Sequence, residues 1–175
     1  MRKNASSRLY DLRMSQTPIF VTCGATHVCV YGTLRAGGVN DISRLQSGIR
    51  CVGQTYLTGT LHDLGWYPGL SLQGTHLVLA EVYPLNATLE QELDRVEGIW
   101  PQDVGEYAKR LVDVNVRMQD GSTQAMNALV YEAQPSVLQH APLIDASDWL
   151  AWYEDKGKPH SEIPFALKTR NSAAP

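Results

Sequence analysis

Residues Val28 to Arg35 read V-C-V-Y-G-T-L-R, and this stretch decides the fold. Its first four residues favour β-structure and Gly32 follows them directly, which predicts a buried strand that ends in a tight turn. Gly32 has no Cβ, so the backbone there can come close to a ligand. The amides of Gly32, Thr33 and Leu34 can converge on one anionic group if no sheet or helix uses them. An ordinary exit from a strand into a loop is the alternative interpretation.

Composition narrows the class of protein. The chain has 175 residues and a formal net charge of -3. This length suits one domain with its own core. The weak charge argues against nucleic acid or a membrane surface as a partner. No apolar run approaches the roughly 20 residues that a transmembrane helix needs, so the sequence predicts a protein without a membrane anchor.

The cysteines and histidines predict neither a disulfide framework nor a metal site. The three cysteines lack any C-x-x-C spacing and their number is odd, which favours a reducing, cytoplasmic location. Cys29 lies inside an apolar run and is predicted to be a buried, inert thiol rather than a nucleophile. No two of the five histidines have the H-x-x-x-H spacing of metal ligands. The histidines are His27, His62, His76, His140 and His160.

The two ends of the chain differ from its middle. Residues 1–26 are basic, with no clear periodicity, and are predicted to be a flexible N-terminal extension. They could also be a transit peptide, or the result of a start codon assigned too early, with Met14 as the true start. The predicted domain covers residues 27–157, and residues 158–175 are predicted to be a loose tail.

Strand patterns dominate the middle of the chain. Arg50 to Asp63 alternates apolar and polar residues, and Gly53 and Gly59 interrupt it as bulges or barrel bends do. Gly65 to Leu70 is predicted to be an aromatic-rich turn. His76 to Tyr83 is predicted to be a strand, in which Glu81 either faces solvent or points into a polar cavity.

One main helix is predicted from about Thr88 to Val96. Thr88 and Gln91 have the spacing of a capping box, and Gly98 supplies a stop. Around this helix Glu97 lies roughly 40° from Leu93 and so flanks the apolar face, whereas Asp94 points further out. Desolvation in a half-apolar cavity and the helix dipole would both raise the pKa of such a carboxylate. A solvated Glu beside a helix-ending Gly is the alternative.

The rest of the pattern completes the fold class. Tyr107 to Arg117 and Thr123 to Glu132 are joined by a turn containing Asp-Gly, which predicts a β-hairpin. Asp145 to Lys156 carries aromatic residues at near-helical spacing. The predicted fold is α+β, a small mixed or antiparallel β-barrel with one main flanking helix.

Five motifs in this order resemble the γ-glutamylcyclotransferase-like family, in its avirulence-induced-gene-like and γ-glutamylamine cyclotransferase-like branch. The resemblance runs from about Val28 to Tyr131, and weakly to Asp148 and Trp149. Each motif alone is unspecific, and their order makes the signal strong. The five stretches are V-Y-G-T-L-R at Val30 to Arg35, G-W-Y-P-G at Gly65 to Gly69, E-V-Y at Glu81 to Tyr83, L-D-R-V-E-G at Leu93 to Gly98 and Y-A-K at Tyr107 to Lys109.

The resemblance implies a function and a site. The implied activity is cyclisation of a γ-glutamyl amide or amine substrate to 5-oxoproline with release of a free amine, with no cofactor and no metal. Glu97 matches the family's general acid/base. The implied substrate-binding residues are Tyr31, Gly32, Thr33, Leu34 and Tyr107. Lys109 replaces the usual Arg, so a forked contact from that position is in doubt.

A second class of function remains open from the sequence. Some relatives lack the acid and keep the loop, so a non-catalytic small-ligand-binding or regulatory protein on the same fold is the alternative to an enzyme. The presence of Glu97 favours the enzyme. Neither the leaving amine nor the oligomeric state follows from the sequence.

Overall fold

Five strands close into a barrel in the computed structural model, which describes residues 18–157. The strands are β1 His27–Val30, β2 Gly53–Asp63, β3 Pro68–Pro84, β4 Tyr107–Met118, β5 Thr123–Ala133 and β6 Leu143–Ile144. The helices are α1 Ala87–Val96, α2 Pro135–Leu138 and α3 Trp149–Asp155, and a 3₁₀ turn covers Ile42–Arg44. The sequence predictions for residues 1–17 and 158–175 lie outside the described residues.

The barrel is a mixed sheet. Its strands follow the order β3-β1-β5-β4-β2, and β2 pairs again with β3 to close it, while β6 lies beside β2. β1 runs parallel to β5, and the other neighbouring strands are antiparallel. The predicted fold class, a small barrel with one main flanking helix, is therefore confirmed.

Two predicted irregularities of the sheet have different outcomes. The register of β2 against β3 shifts between Gly59 and Thr60, as expected for a bulge at Gly59. Gly53 instead begins β2 in regular pairing with Val82. The predicted aromatic turn is shorter than expected, because β3 already begins at Pro68. The predicted hairpin is confirmed, with β4 and β5 paired from Tyr107 to Arg117.

The first strand is buried on both faces. Val28 and Val30 belong to one apolar cluster, and Cys29 belongs to another with Tyr31, the residue after β1. The first cluster is covered by α1, and the second is covered by α3 through Trp149. This alternation explains why the opening run is apolar at consecutive positions rather than at every second one. The strand thereby fixes where the following loop emerges.

The main helix begins one residue earlier than predicted and has a different cap. Asn86 is the N-cap, and its side chain accepts a hydrogen bond from the backbone N–H of Leu89 at 2.8 Å. The predicted capping box is wrong, because Thr88 already lies in the first helical turn. Asn at an N-cap satisfies one of the free N–H groups of that turn. Gly98, with φ +68°, follows the helix as predicted.

Residues 18–26 contact the domain. The backbone N–H of Cys23 donates to the Glu90 carboxylate at 2.7 Å, and Thr26 accepts from the N–H of Leu85. Phe20 packs edge-on against Trp100, with ring centroids 6.1 Å apart. Within the described residues, none of the helices has the length and apolarity needed to cross a bilayer.

Candidate functional site

A pocket of about 680 Å³, its open mouth included, lies beside the end of β1, the beginning of β3 and the end of α1. The loop Tyr31–Leu34 lines one part of it, the turn Trp66–Pro68 another, and the segment Arg95–Glu97 a third. Tyr107 and Tyr131 complete the lining from the hairpin, together with Asn40. All six residues that the sequence singled out line this one pocket: Tyr31, Gly32, Thr33, Leu34, Glu97 and Tyr107.

The backbone of the Tyr31–Leu34 loop, which lines the pocket, has three N–H groups without an acceptor among the described residues. Its carbonyl oxygens accept hydrogen bonds from later residues: Arg35 N–H to Gly32 O at 3.1 Å, Asn40 N–H to Thr33 O at 3.0 Å and Ile42 N–H to Leu34 O at 3.0 Å. Within residues 18–157, no acceptor is found for the N–H groups of Gly32, Thr33 and Leu34. Such amides beside an open cavity form a potential anion-binding group.

Gly32 is required by close packing rather than by its backbone angles. A Cβ at this position would lie 2.6 Å from Cγ of Pro68 and 2.8 Å from its Cδ. Both Gly32 and Pro68 line the pocket, so the two motifs that carry them meet at its wall. The sequence contains both glycine-rich stretches but does not reveal this contact.

A buried ion pair supports the loop from behind. The Arg35 guanidinium donates to Glu81 at 3.3 Å and to Asp148 at 2.7 Å. Glu81 also accepts from the N–H of Ala36 and from the hydroxyl of Tyr83. The prediction that Glu81 faces solvent is wrong: it points into a buried polar cluster formed by Arg35, Ala36 and Tyr83, and it does not line the pocket.

Asp148 links the same ion pair to the last helix. It caps α3, and its carboxylate accepts from the N–H of Ala151. Burial by itself raises the pKa of Asp148, but the hydrogen bond and the charge of Arg35 outweigh burial and lower the pKa. The loop, strand β3 and helix α3 are therefore held by one charged network.

Glu97 is the C-cap of α1, and its side chain lies on the pocket wall. Its backbone N–H still donates to the Leu93 carbonyl at 2.9 Å, so the last turn of the helix fixes its position. The negative charge of Glu97 contributes, after burial, to raising the pKa values of Tyr31 and Tyr107. Glu97 is the one carboxylate among the described residues that line the pocket.

Three pocket tyrosines are held by hydrogen bonds to the fold. Tyr31 donates to the Tyr131 carbonyl at 2.8 Å, and Tyr107 donates to the Pro68 carbonyl at 2.8 Å. Tyr131 donates to the Asp94 carboxylate at 2.7 Å. Burial is the largest cause that raises all three pKa values well above the ordinary range. These tyrosines therefore stay protonated at neutral pH and shape the pocket.

Two further ionisable groups of the lining are poor candidates for proton transfer. Burial raises the pKa of the Cys29 thiol to about 12, in line with the inert thiol predicted for it. Arg95 stacks over the Trp100 ring at 4.6 Å and pairs with Glu92, and a guanidinium does not lose its proton near neutral pH. Glu97 is thus the best-placed acid or base of the pocket.

Sequence reasoning missed a buried cluster beneath the pocket. Asp94, predicted to point outward, is only 1% exposed and accepts from both Lys109 and Tyr131. Glu90 is equally buried, and the Lys109 ammonium lies 2.8 Å from each of these carboxylates. The prediction for Asp94 is wrong because Lys109 of β4 and Tyr131 of β5 cover this side of α1. Lys109 provides two separate contacts rather than a fork.

Further lining residues were also missed, among them Asn40, Trp66, Tyr67 and Arg95. Their position in the sequence could have indicated them, since each of these four residues lies within one of the five motifs or a few residues after it. Among the described residues, no group of three or more His, Cys, Asp or Glu side chains has the arrangement of a metal site.

The chain is similar to known proteins over most of the domain that carries this pocket. The sequence model of the family described as "Gamma-glutamyl cyclotransferase, AIG2-like" matches residues 28–151. This range contains the Tyr31–Leu34 loop, Glu97 and Tyr107. A protein of Vibrio cholerae serotype O1 named "Putative gamma-glutamylcyclotransferase" is 33% identical over 122 residues, which is 70% of this chain and 93% of that protein.

Solved structures share the fold at lower identity. An AIG2-like protein of Mus musculus superposes with a TM-score of 0.55 at 20% identity, covering 71% of this chain and 88% of that one. An uncharacterized protein of Pyrococcus horikoshii gives a TM-score of 0.51 at 20% identity, covering 76% and 97%. At these identities the likeness concerns the barrel and its helices.

Proposed function

The chain belongs to the gamma-glutamyl cyclotransferase, AIG2-like family, and on that premise we propose that it is an enzyme that cyclises γ-glutamyl compounds. The substrate is a γ-glutamyl amide or amine, and the products are 5-oxoproline and a free amine. Glu97 is the general acid/base. The loop Tyr31–Leu34 and Tyr107 form the substrate site. The proposed location is the cytoplasm.

One observation carries this proposal. A single carboxylate, Glu97, shares a pocket with a loop in which three amide N–H groups have no acceptor within the described residues. Such a pocket provides a proton acceptor on one side and hydrogen-bond donors for an oxyanion or a carboxylate on the other. The cyclisation of a γ-glutamyl group requires both.

The reaction balances without any co-reactant. The α-ammonium of the substrate loses a proton to Glu97, and the neutral nitrogen attacks the γ-carbonyl carbon. A C–N bond forms and closes a five-membered ring, while the carbonyl oxygen carries the negative charge that loop amides stabilise. When the carbonyl re-forms, the bond to the leaving nitrogen breaks and Glu97 returns the proton to it. The ring nitrogen, which carries two hydrogens and a positive charge after the attack, gives its second proton to the same amine, so the products are the neutral lactam and an ammonium ion. Nucleophile and carbonyl belong to one molecule, so much of the orientation cost is avoided.

The pocket tyrosines assist this chemistry indirectly. Their hydroxyl groups donate to the Tyr131 carbonyl, the Pro68 carbonyl and the Asp94 carboxylate, respectively from Tyr31, Tyr107 and Tyr131. The rings therefore form fixed walls that limit how the glutamyl group can lie. A wall with few rotatable groups favours the folded, ring-forming conformation of the substrate.

The test is release of 5-oxoproline from a panel of γ-glutamyl compounds. The panel should carry an amino acid, a polyamine, a lysine side chain and a small amine as leaving groups, each assayed by product chromatography. Catalytic release from at least one member is the expected result. Binding of these compounds without release would contradict the enzyme and support the ligand-binding alternative.

A further inference from the structure

Asn40 is a pocket residue whose side chain keeps a hydrogen-bonding atom that no described residue uses. It is 5% exposed, and it lines the pocket beside the Tyr31–Leu34 loop. Its backbone N–H donates to the Thr33 carbonyl at 3.0 Å, and its Nδ2 donates to the Thr33 hydroxyl at 3.2 Å. Its Oδ1 is buried and has no partner among the described residues.

A buried acceptor without a donor is uncommon, because its lost contact with water is not replaced. Here the acceptor belongs to a side chain that two bonds to Thr33 hold in place. Residues that border a pocket and keep one polar atom unpaired are suited to a ligand that supplies the missing partner. The ligand must therefore bring an N–H or O–H donor to this point.

The γ-glutamyl group offers a specific donor. Its α-carboxylate and γ-carbonyl only accept hydrogen bonds, so they suit the free amides of Gly32, Thr33 and Leu34. Its α-nitrogen donates, and this nitrogen and the α-carboxylate share one carbon atom. Because Asn40 is bonded to Thr33, an acceptor for the nitrogen lies next to the amides for the carboxylate.

On the basis of the proposed function, we infer that Asn40 is a substrate-binding residue whose Oδ1 accepts a hydrogen bond from the α-nitrogen of the γ-glutamyl group. The α-nitrogen keeps at least one N–H as ammonium, as free amine and as the lactam of the product, so one acceptor serves every stage. A neutral amide suits this task better than a carboxylate, which would hold the ammonium in its protonated form.

The product allows a test that does not depend on the leaving amine. 5-Oxoproline carries the former α-nitrogen as a lactam N–H, and 5-oxotetrahydrofuran-2-carboxylate has the same ring with oxygen in its place. We expect the wild-type protein to prefer 5-oxoproline by about 10–100-fold in Kd, the usual effect of leaving a buried acceptor unpaired. NMR titration of the full chain measures both constants.

Three variants separate binding from folding. Asn40→Ala should reduce the preference between the two ligands, whereas Asn40→Asp, which keeps an acceptor oxygen, should retain it. Asn127→Ala is the matched control, since Asn127 is exposed and bonded to Asp113 away from the pocket. A merely structural role would weaken both ligands equally in Asn40→Ala and leave their ratio unchanged.

The pH profile of turnover gives a second readout. In Asn40→Asp the added negative charge raises the pKa of the amine of the bound substrate, so the acidic limb of kcat should move to higher pH. Equal wild-type affinity for the two ligands, or an unchanged preference in Asn40→Ala, would overturn the role inferred for Asn40 but not the proposed function. Failure of the wild type to release 5-oxoproline from the panel would instead overturn the proposed function, and the two failures are measured separately.

Discussion

Glu97 obtains its position from the end of a helix. As the C-cap of α1 it keeps a backbone hydrogen bond to Leu93, while its side chain borders the pocket. The helix dipole disfavours a negative charge at this end, and nearby buried rings exclude part of the water. A carboxylate in such surroundings is suited to accept and return a proton.

Replacing Glu97 with Gln tests this role. The amide keeps the size of the side chain but cannot take the ammonium proton, so kcat should fall by about 10²–10⁴-fold. KM should change much less, since the loop amides supply most of the binding. Thermal stability should hold or rise slightly because a charge at the helix C-terminus is removed. Steady-state kinetics and a melting curve measure these effects.

The control for this change is Glu154→Gln, which alters an exposed acid near the end of α3 and should leave kcat unchanged. Glu81→Gln is informative in another way, because it weakens the support of the loop without touching the pocket. Full turnover in Glu97→Gln together with lost turnover in Glu81→Gln would contradict the assignment of the base.

Gly32→Ala tests the contact between the two glycine-containing motifs. The new Cβ would lie 2.6 Å from Cγ of Pro68, so the loop or the turn must shift. Overpacking of this kind costs about 1–3 kcal/mol of unfolding free energy. KM should also rise, because both residues line the pocket. Urea unfolding and substrate titration are the measurements.

The double variant Gly32→Ala with Pro68→Ala is the matched control, since Pro68→Ala removes the two ring atoms that would collide. It should recover part of the stability lost in Gly32→Ala. Additive losses in the double variant would show that the contact is not the cause.

At the scale of elements, α1 and β4 are joined by charges. Lys109 on β4 lies between Glu90 and Asp94 on α1, one turn apart on the buried side. Burial by itself lowers the pKa of Lys109, but its hydrogen bonds to the two carboxylates outweigh burial and raise it. Asp94 also accepts from Tyr131, a residue of the pocket wall. The cluster therefore connects the packing of the helix to the shape of the site.

Lys109→Met should be strongly destabilising. It leaves two carboxylates that are each 1% exposed without their shared cation, and removing one partner of a buried ion pair costs about 3–5 kcal/mol. Arg110→Met is the control on the same strand, because its partner Glu132 forms a more exposed pair worth about 0–1 kcal/mol. Urea unfolding measures both variants. Equal losses would indicate that burial of the cluster does not determine its contribution.

At the scale of the whole molecule, the sequence predicts the barrel because its strands carry local signals. Local sequence patterns predict three of these elements: the alternating β2, the turn with Asp-Gly between β4 and β5, and the apolar run of β1. The closing contacts are not local. Parallel pairing of β1 with β5 and the pairing of β2 with β4 join segments far apart in sequence, and no single window of residues contains them.

The residues of the site also divide into those with a local sequence signal and those placed by distant contacts. Tyr31–Leu34 and Glu97 are recognisable from their motifs, but the partners that hold them are distant. Arg35 bonds Asp148, 113 positions along the chain, and no periodicity predicts such a pair. A helical-wheel argument misplaces Asp94 because it includes neither Lys109 nor Tyr131, which bond this carboxylate from other strands.

The contacts of residues 18–26 lead to a prediction for shortened chains. A chain that begins at Gln16 keeps the bond from Cys23 to Glu90 and the packing of Phe20 on Trp100. Its melting temperature should stay close to that of the full chain. A chain that begins at His27 loses both contacts and opens Glu90 to water on one side. Its free energy of unfolding should fall by about 1–2 kcal/mol or more, and its melting temperature by several degrees.

Differential scanning calorimetry of the three chain lengths measures these melting temperatures. A large loss already at Gln16 would mean that the first 15 residues contribute to the fold, whereas no loss at His27 would show that the Cys23 and Phe20 contacts are energetically neutral.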